Sequence, residues 1–393
     1  MEIEKLYSAF LECGKVCTDT RKISQGCLFV ALRGDKFNAN DFAAQALEQG
    51  AAYAIVDEPS AMVSGRTFLV PDSLAALQQL ASYHRRQLGI PIIALTGSNG
   101  KTTTKELINA VLSRKFITGA TVGNLNNHIG VPLTLLSFDR DTQIGIVEMG
   151  ANHQKEIEFL CSIATPDFGY ITNFGKAHLE GFGGVEGVIK GKSEMYDYLF
   201  AERATAFVNL DDPIQDVRTS EMARYTFSTQ NEADVNIQNI TADPMVSLTF
   251  KGMSIRSNLI GIYNAPNIAA SIAIGNYFEV PDSEIRLAIE QYTPDNNRSQ
   301  ILERGSNQVI LDAYNANPSS MLAAIANLGI LSAGKKVAIL GDMFELGQES
   351  DQEHAQIVDR AAADPTVQFI FCRTRFFKTS AAVSISALFF DLQ

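Results

Sequence analysis

At 393 residues the chain is longer than a single hydrophobic core commonly grows, so two or three domains are expected. Hydrophobic residues at 46% and charged residues at 19% are globular values that exclude a disordered or fibrous chain, and a net charge of −12 excludes general affinity for nucleic acid, which needs clustered Lys and Arg. The start, Met1-Glu2-Ile3-Glu4-Lys5, is acidic, no run reaches the roughly 18 apolar residues of a membrane span, and five scattered cysteines without CxxC spacing fit reduced thiols, so a cytoplasmic protein is expected.

In chain order, short strands over 26–32, 52–56 and 67–70 surround a helical segment over 41–49, a small α/β unit. Leu74, Leu77, Leu80 and Leu88 have the spacing of one amphipathic helix over Ser73–Leu88, which Gly89 ends. Apolar strands over 92–95, 144–147, 168–171 and 206–210 then alternate with helical segments, which predicts a parallel sheet covered on both faces. Polarity rises at Asp295-Asn296-Asn297-Arg298, and strands over 308–311, 336–340 and 368–372 open a third α/β series. Domains are expected at 1–84, 85–298 and 299–393, with no internal repeat.

The strand over 92–95 runs into Thr96-Gly97-Ser98-Asn99-Gly100-Lys101-Thr102-Thr103, and a helix follows over 104–114. Strand, glycine loop and helix make the context of a phosphate-binding loop. Gly97 and Gly100 let backbone N–H groups approach phosphate oxygens, Lys101 neutralises their charge, and the Thr102 hydroxyl is placed for Mg²⁺. The strict pattern has a further glycine where Leu95 stands, so the loop is a shortened variant. Glu148 closes the strand over 144–147, at the sheet edge where ligands collect, and is a candidate Mg²⁺ ligand, although a solvated acidic residue accounts for it equally well. His178 follows another strand on that edge, and Lys192 lies in a segment opening a helix; alone, each fits a structural or solvated role.

Taken together, these segments resemble the Mur ligase family, the ATP-dependent amide ligases of peptidoglycan precursor synthesis, and the resemblance covers nearly the whole chain. Within the family, Asp312-Ala313-Tyr314-Asn315-Ala316-Asn317-Pro318-Ser319-Ser320-Met321, Leu340-Gly341-Asp342-Met343-Phe344-Glu345-Leu346-Gly347 and Gly123-Asn124-Leu125-Asn126-Asn127-His128-Ile129-Gly130-Val131-Pro132 are similar to the member that joins UDP-N-acetylmuramoyl-tripeptide to D-alanyl-D-alanine. The resemblance implies a small N-terminal α/β domain for the UDP-substrate, a central P-loop ATPase-like parallel-sheet domain and a C-terminal Rossmann-like domain. It implies that Gly97, Ser98, Asn99, Gly100, Lys101, Thr102 and Thr103 hold ATP phosphates and that Thr102, Glu148, His178 and Lys192, the last carbamylated by CO₂, hold two Mg²⁺ ions. Asn264 and Asn267 match the adenine-contacting segment, Arg298, Asp312 and Asn315 match further nucleotide contacts, and Thr20 and Arg21 match the segment that meets uridine diphosphate. Asn124, Asn126 and Asn127 are implied to bind substrate, and a monomer is expected. Two features depart from the family: Tyr263 stands where His is frequent, and the chain ends at Gln393, short of an expected final strand and helix, so the last domain is expected to be incomplete.

Lys101, Glu148, His178 and Lys192 are the expected catalytic residues for transfer of the ATP γ-phosphoryl group to the tripeptide's carboxylate, which gives an acyl phosphate. Three other readings of the residues stand beside this: another Mur or folylpolyglutamate-type ligase, a P-loop kinase acting on a small molecule's hydroxyl, and a nucleotide-binding module without turnover.

Overall fold

A computed structural model of the chain describes residues 3–63, 65–295, 298–372, 375–376 and 388–390. Asn296 and Asn297 of the expected polar junction lie outside the described residues. The fold is mixed α/β and divides into two compact units, one of Met1–Ala94, Phe116–Gly150 and Glu158–Phe168, the other of Leu95–Lys115, Ala151–Ile157 and Gly169–Gln393.

In the first unit the strands Val16–Cys17, Leu28–Val30, Tyr53–Val56 and Thr67–Leu69 lie side by side in that order, all parallel. Helix Ala43–Glu48 presents small residues to this sheet, so Ala43, Ala46 and Leu47 bury with Phe29, Ala31, Ala54 and Val56 in one cluster. Each larger apolar side chain buried in this way contributes roughly 1.5–3 kcal/mol. Asp72 caps helix Ser73–Leu88 by accepting from the Ala75 N–H, and Gly89 ends it with a left-handed φ of 62°, as the spacing predicts. Strand Thr118–Ala120 pairs parallel with Ile144–Glu148, which is buried along its whole length. Burial on both faces explains why this strand reads as a continuous apolar run, and the run ends on a carboxylate, Glu148.

In the second unit, helix Ala265–Tyr277 packs on helix Lys101–Leu112. Strands Phe168–Ile171, Thr205–Asn209, Arg224–Ser228, Val235–Ala242, Met245–Phe250 and Met253–Ile260 follow one another in that order. Thr205–Asn209, Arg224–Ser228 and Val235–Ala242 pair parallel, and the last three strands of the row form an antiparallel meander, which is not identified from the sequence. Val246, Leu248 and Phe250 are buried while their neighbours are partly exposed, a one-sided alternation that a search for continuous apolar runs passes over. Strand Asn307–Leu311 is followed by helix Pro318–Ile330, as expected of a strand-helix series, but it pairs antiparallel with Gln300–Arg304 in a two-stranded ribbon turned by Gly305 at φ 60° and does not join the parallel sheet. The parallel sheet of this region consists of Lys336–Gly341, Val367–Cys372 and Leu388–Phe390, accompanied by helices Pro318–Ile330 and Ser350–Ala362.

Candidate active site

Strand Ile92–Thr96 ends where the glycine loop begins, and the following helix starts at Lys101, three residues earlier than its sequence suggests. Lys101, Thr102 and Thr103 therefore occupy the first helical turn, where backbone N–H groups lack intrahelical acceptors and the helix dipole favours an anion. Gly100 at φ 80° forms the N-cap, and a Cβ there would lie 2.6 Å from Asn267 Oδ1. The Lys101 ammonium donates to the Gly97 and Ser98 carbonyls at 2.7 and 3.3 Å, folding back over the loop.

Two of the loop amides donate within the protein. Ser98 N–H donates to the Asn173 carbonyl at 3.1 Å and Asn99 N–H to Asn173 Oδ1 at 3.1 Å, while the Thr172 hydroxyl and the Asn173 amide donate to the Asn99 carbonyl at 2.6 and 2.9 Å. Thr172 and Asn173 brace the loop, a role the sequence does not signal because it depends on a contact more than 70 residues away. On the helix side, Thr104 Oγ1 donates to Asn267 Oδ1 at 3.1 Å, Asn267 to Asn264 Oδ1 at 2.9 Å and Asn264 to the Ile260 carbonyl at 2.8 Å. The buried Asn264 and Asn267 thus form a hydrogen-bonded chain ending at the loop's own helix, and Asn264 makes no side-chain cap. Neighbouring Tyr263 meets Ser299 Oγ at 2.8 Å, and burial pushes its phenol up to about 12.

His178 has a left-handed φ of 54°, and its Nδ1 pairs with Glu345. Burial lowers its pKa, and the Glu345 carboxylate opposes that shift. Lys192 is fully buried in helix Val185–Ala201, its ammonium donating to the Ala151 carbonyl at 3.1 Å and lying 5.0 Å from the centre of the Phe182 ring. Residues of the C-terminal segment also reach the loop. Asn317 Nδ2 donates to Asn99 Oδ1 at 2.6 Å, Lys176 N–H to Ser319 Oγ at 3.0 Å, and Lys176 Nζ pairs with Glu353 at 2.5 Å. The Arg298 guanidinium stacks over the exposed Tyr314 ring at 3.9 Å, and Asp312 and Asn315 are exposed beside it in sequence.

In the first unit, Glu148 is buried. Its Oε1 accepts from Asn126 Nδ2 at 2.8 Å, its backbone N–H donates to Thr121 Oγ1 at 2.9 Å, and its Oε2 has no hydrogen-bond partner among the described residues. Asn127 Oδ1 accepts from the N–H groups of Ile129 and Gly130 at 3.1 and 2.8 Å, ahead of helix Gly130–Leu135, and Asn124 is exposed. Thr20 and Arg21 form a short 3₁₀ turn capped by Asp19, and the exposed Arg21 guanidinium lies on that carboxylate at 2.8 Å. Among the described residues no group of three or more His, Cys, Asp and Glu side chains is gathered to hold a metal, and no helix is long and apolar enough to cross a membrane.

Comparison with known proteins places three family domains along the chain: Mur ligase catalytic domain over 14–93, Mur ligase middle domain over 95–275 and Mur ligase glutamate ligase domain over 297–388. The UDP-N-acetylmuramoyl-tripeptide–D-alanyl-D-alanine ligase of Bacillus subtilis is 36% identical over 348 residues, 87% of this chain and 76% of that protein. The enzyme of the same name from Escherichia coli is 34% identical over 91% of this chain and 81% of its own length. A crystal structure of MurF from Acinetobacter baumannii matches with a TM-score of 0.88 at 32% identity, covering 98% of this chain and 89% of that one. MurF ligase from Thermotoga maritima in complex with ADP matches with a TM-score of 0.82 at 25% identity, covering 97% and 93%.

Proposed function

The chain belongs to the Mur ligase family, and we propose that it joins D-alanyl-D-alanine to UDP-N-acetylmuramoyl-tripeptide, with ATP as the activating reagent, in peptidoglycan precursor synthesis. One observation carries this reading: a braced glycine loop with Lys101 at its helix start, in a chain 36% identical over 87% of its length to a ligase of that name. A carboxylate is a poor electrophile, so it must first be given a leaving group. An oxygen of the tripeptide's terminal carboxylate attacks the γ-phosphorus of ATP, the bond to the β,γ-bridging oxygen breaks, and ADP departs. The D-alanyl-D-alanine amine then attacks the acyl carbon, loses a proton, and expels phosphate from a tetrahedral intermediate. Catalysis of the first step is mostly positioning and charge neutralisation.

In this reading Gly97 to Thr103 bind the phosphates, with Lys101 turning from its two carbonyls to the transferring group. Asn264 and Asn267 support the adenine end, Arg298, Asp312 and Asn315 contact nucleotide from the C-terminal side, and Thr20 and Arg21 meet the uridine diphosphate. Thr102, Glu148, His178 and Lys192 would hold two Mg²⁺ ions, which when bound neutralise charge on the transferring phosphoryl group. The residues fit a hard, oxygen-seeking ion. Glu148 keeps one buried oxygen without a partner among the described residues, and in this reading the Thr102 hydroxyl and a Lys192 carbamate would add further oxygens. The protein acts as a cytoplasmic monomer, in the family's three-domain division at 1–84, 85–298 and 299–393. Phosphate release should require UDP-N-acetylmuramoyl-tripeptide and D-alanyl-D-alanine together; release with a hydroxyl acceptor and never with the dipeptide would sink the ligase reading.

A further inference from the structure

The three asparagines of the 124–127 segment look interchangeable in sequence, and each could serve the UDP-substrate. Their surroundings separate them. Asn127 spends its side-chain oxygen on the N–H groups of Ile129 and Gly130, and Asn124 is exposed. Asn126 is pinned on both sides of its backbone: its N–H donates to the Asn124 carbonyl at 2.8 Å, and its carbonyl accepts from Gly150 N–H at 2.8 Å. Its side chain lies flat against Gly150, where an added Cβ would stand 3.0 Å from Asn126 Cγ and Oδ1. From that clamp Nδ2 donates to Glu148 Oε1 at 2.8 Å, and Glu148 Oε2 is left buried with no partner among the described residues.

An ionised carboxylate only accepts hydrogen bonds, so a carboxamide can satisfy one of its oxygens without competing for a cation, whereas an aspartate there would repel it. From this geometry we propose that Asn126 is a positioning residue, which fixes the rotation of the Glu148 carboxylate so that Oε2 is presented to a divalent cation, and that it is not a substrate contact. The inference rests on Glu148 being an Mg²⁺ ligand. A buried carboxylate without this donor would turn to satisfy itself elsewhere, and groups that orient metal ligands typically govern metal affinity 10- to 100-fold.

The test is Mn²⁺ titration followed by electron paramagnetic resonance, with a non-hydrolysable ATP analogue present, beside direct binding of UDP-N-acetylmuramoyl-tripeptide. Asn126→Ala should weaken Mn²⁺ binding about 10- to 100-fold and leave affinity for the UDP-substrate unchanged. Asn126→Leu, similar in size and lacking the donor, should do the same and stands in should the alanine variant fail to fold. Unchanged Mn²⁺ affinity in these variants, or a loss confined to the UDP-substrate, would overturn the role of Asn126. Glu148→Gln separates the two levels: if it binds Mn²⁺ as the parent does, the metal reading of Glu148 itself falls, and if it alone loses Mn²⁺, only the Asn126 inference falls.

Discussion

Burial pushes the Lys192 amine well below the ordinary lysine range, and Lys101 acts in the same direction. The neutral amine is the nucleophile that can add to CO₂, and with loss of a proton the product would be an anion with two oxygens. Lys192→Ala should therefore lower turnover by roughly 10²- to 10³-fold, the effect of removing one charge-stabilising group, and short-chain carboxylates should restore part of it in a steady-state assay. A lysine that merely packed would show no such rescue. His84 supplies a pH prediction at the same scale. It is buried, with Nδ1 at 3.2 Å from the Tyr7 hydroxyl and Nε2 at 2.8 Å from the Phe138 carbonyl, and burial holds its pKa below the ordinary 6.5. The unfolded chain therefore takes up the proton first, so this contribution is complete above pH 6.5 and declines as pH falls below it. The thermal midpoint should drop more steeply below pH 6.5 for the parent than for His84→Gln, which has no imidazole to titrate.

The loop shows what an element demands beyond its motif. Gly97 has φ 141°, and a Cβ there would lie 1.9 Å from Thr172 Oγ1 and 2.9 Å from Thr172 N. Gly97→Ala must therefore shift backbone and displace the 2.6 Å bond from Thr172 to the Asn99 carbonyl. The forced conformation alone costs about 1–3 kcal/mol, and ADP affinity measured by calorimetry should fall at least tenfold, about 1.4 kcal/mol. Gly334→Ala is the control: nothing lies within 4 Å of its Cβ position, and surface changes of this kind stay within about 0.5 kcal/mol. Gly97 and Gly100 are legible in the sequence because the motif names them, as is the run Ile144–Glu148, since burial on both faces leaves a continuous apolar signature. Strands 235–260 are less legible because one face is wet, and Asn307–Leu311 misleads because an apolar end, Val309 to Leu311, reads the same in a two-stranded ribbon as in a sheet. The braces Thr172 and Asn173 carry no local signal at all.

On the scale of the whole chain, the contacts that decide the site join residues far apart in sequence, and spacing cannot announce them. Asn99 and Asn317 are 218 positions apart, yet Asn317 donates to Asn99 Oδ1 at 2.6 Å while its own Oδ1 accepts from Ser320 N–H at 2.9 Å as the cap of helix Pro318–Ile330. One side chain thus ties the start of a C-terminal helix to the tip of the loop expected to hold ATP. A nucleotide that orders the loop then orders the docked helix, and by linkage the docked helix strengthens nucleotide binding by the same factor. Asn317→Ala removes both the cap, worth about 1 kcal/mol, and the tie to Asn99, worth roughly another 0.5–1.5 kcal/mol. Ser320→Ala separates these contributions, because Ser320 Oγ accepts from Asn317 N–H at 3.1 Å in the capping box but makes no bond to Asn99. Calorimetric ADP titrations should show Asn317→Ala weakened by up to about tenfold, near 1.4 kcal/mol, and Ser320→Ala close to the parent. Equal weakening in the two variants would mean that helix stability alone carries the effect and that the Asn317–Asn99 tie transmits nothing to the nucleotide.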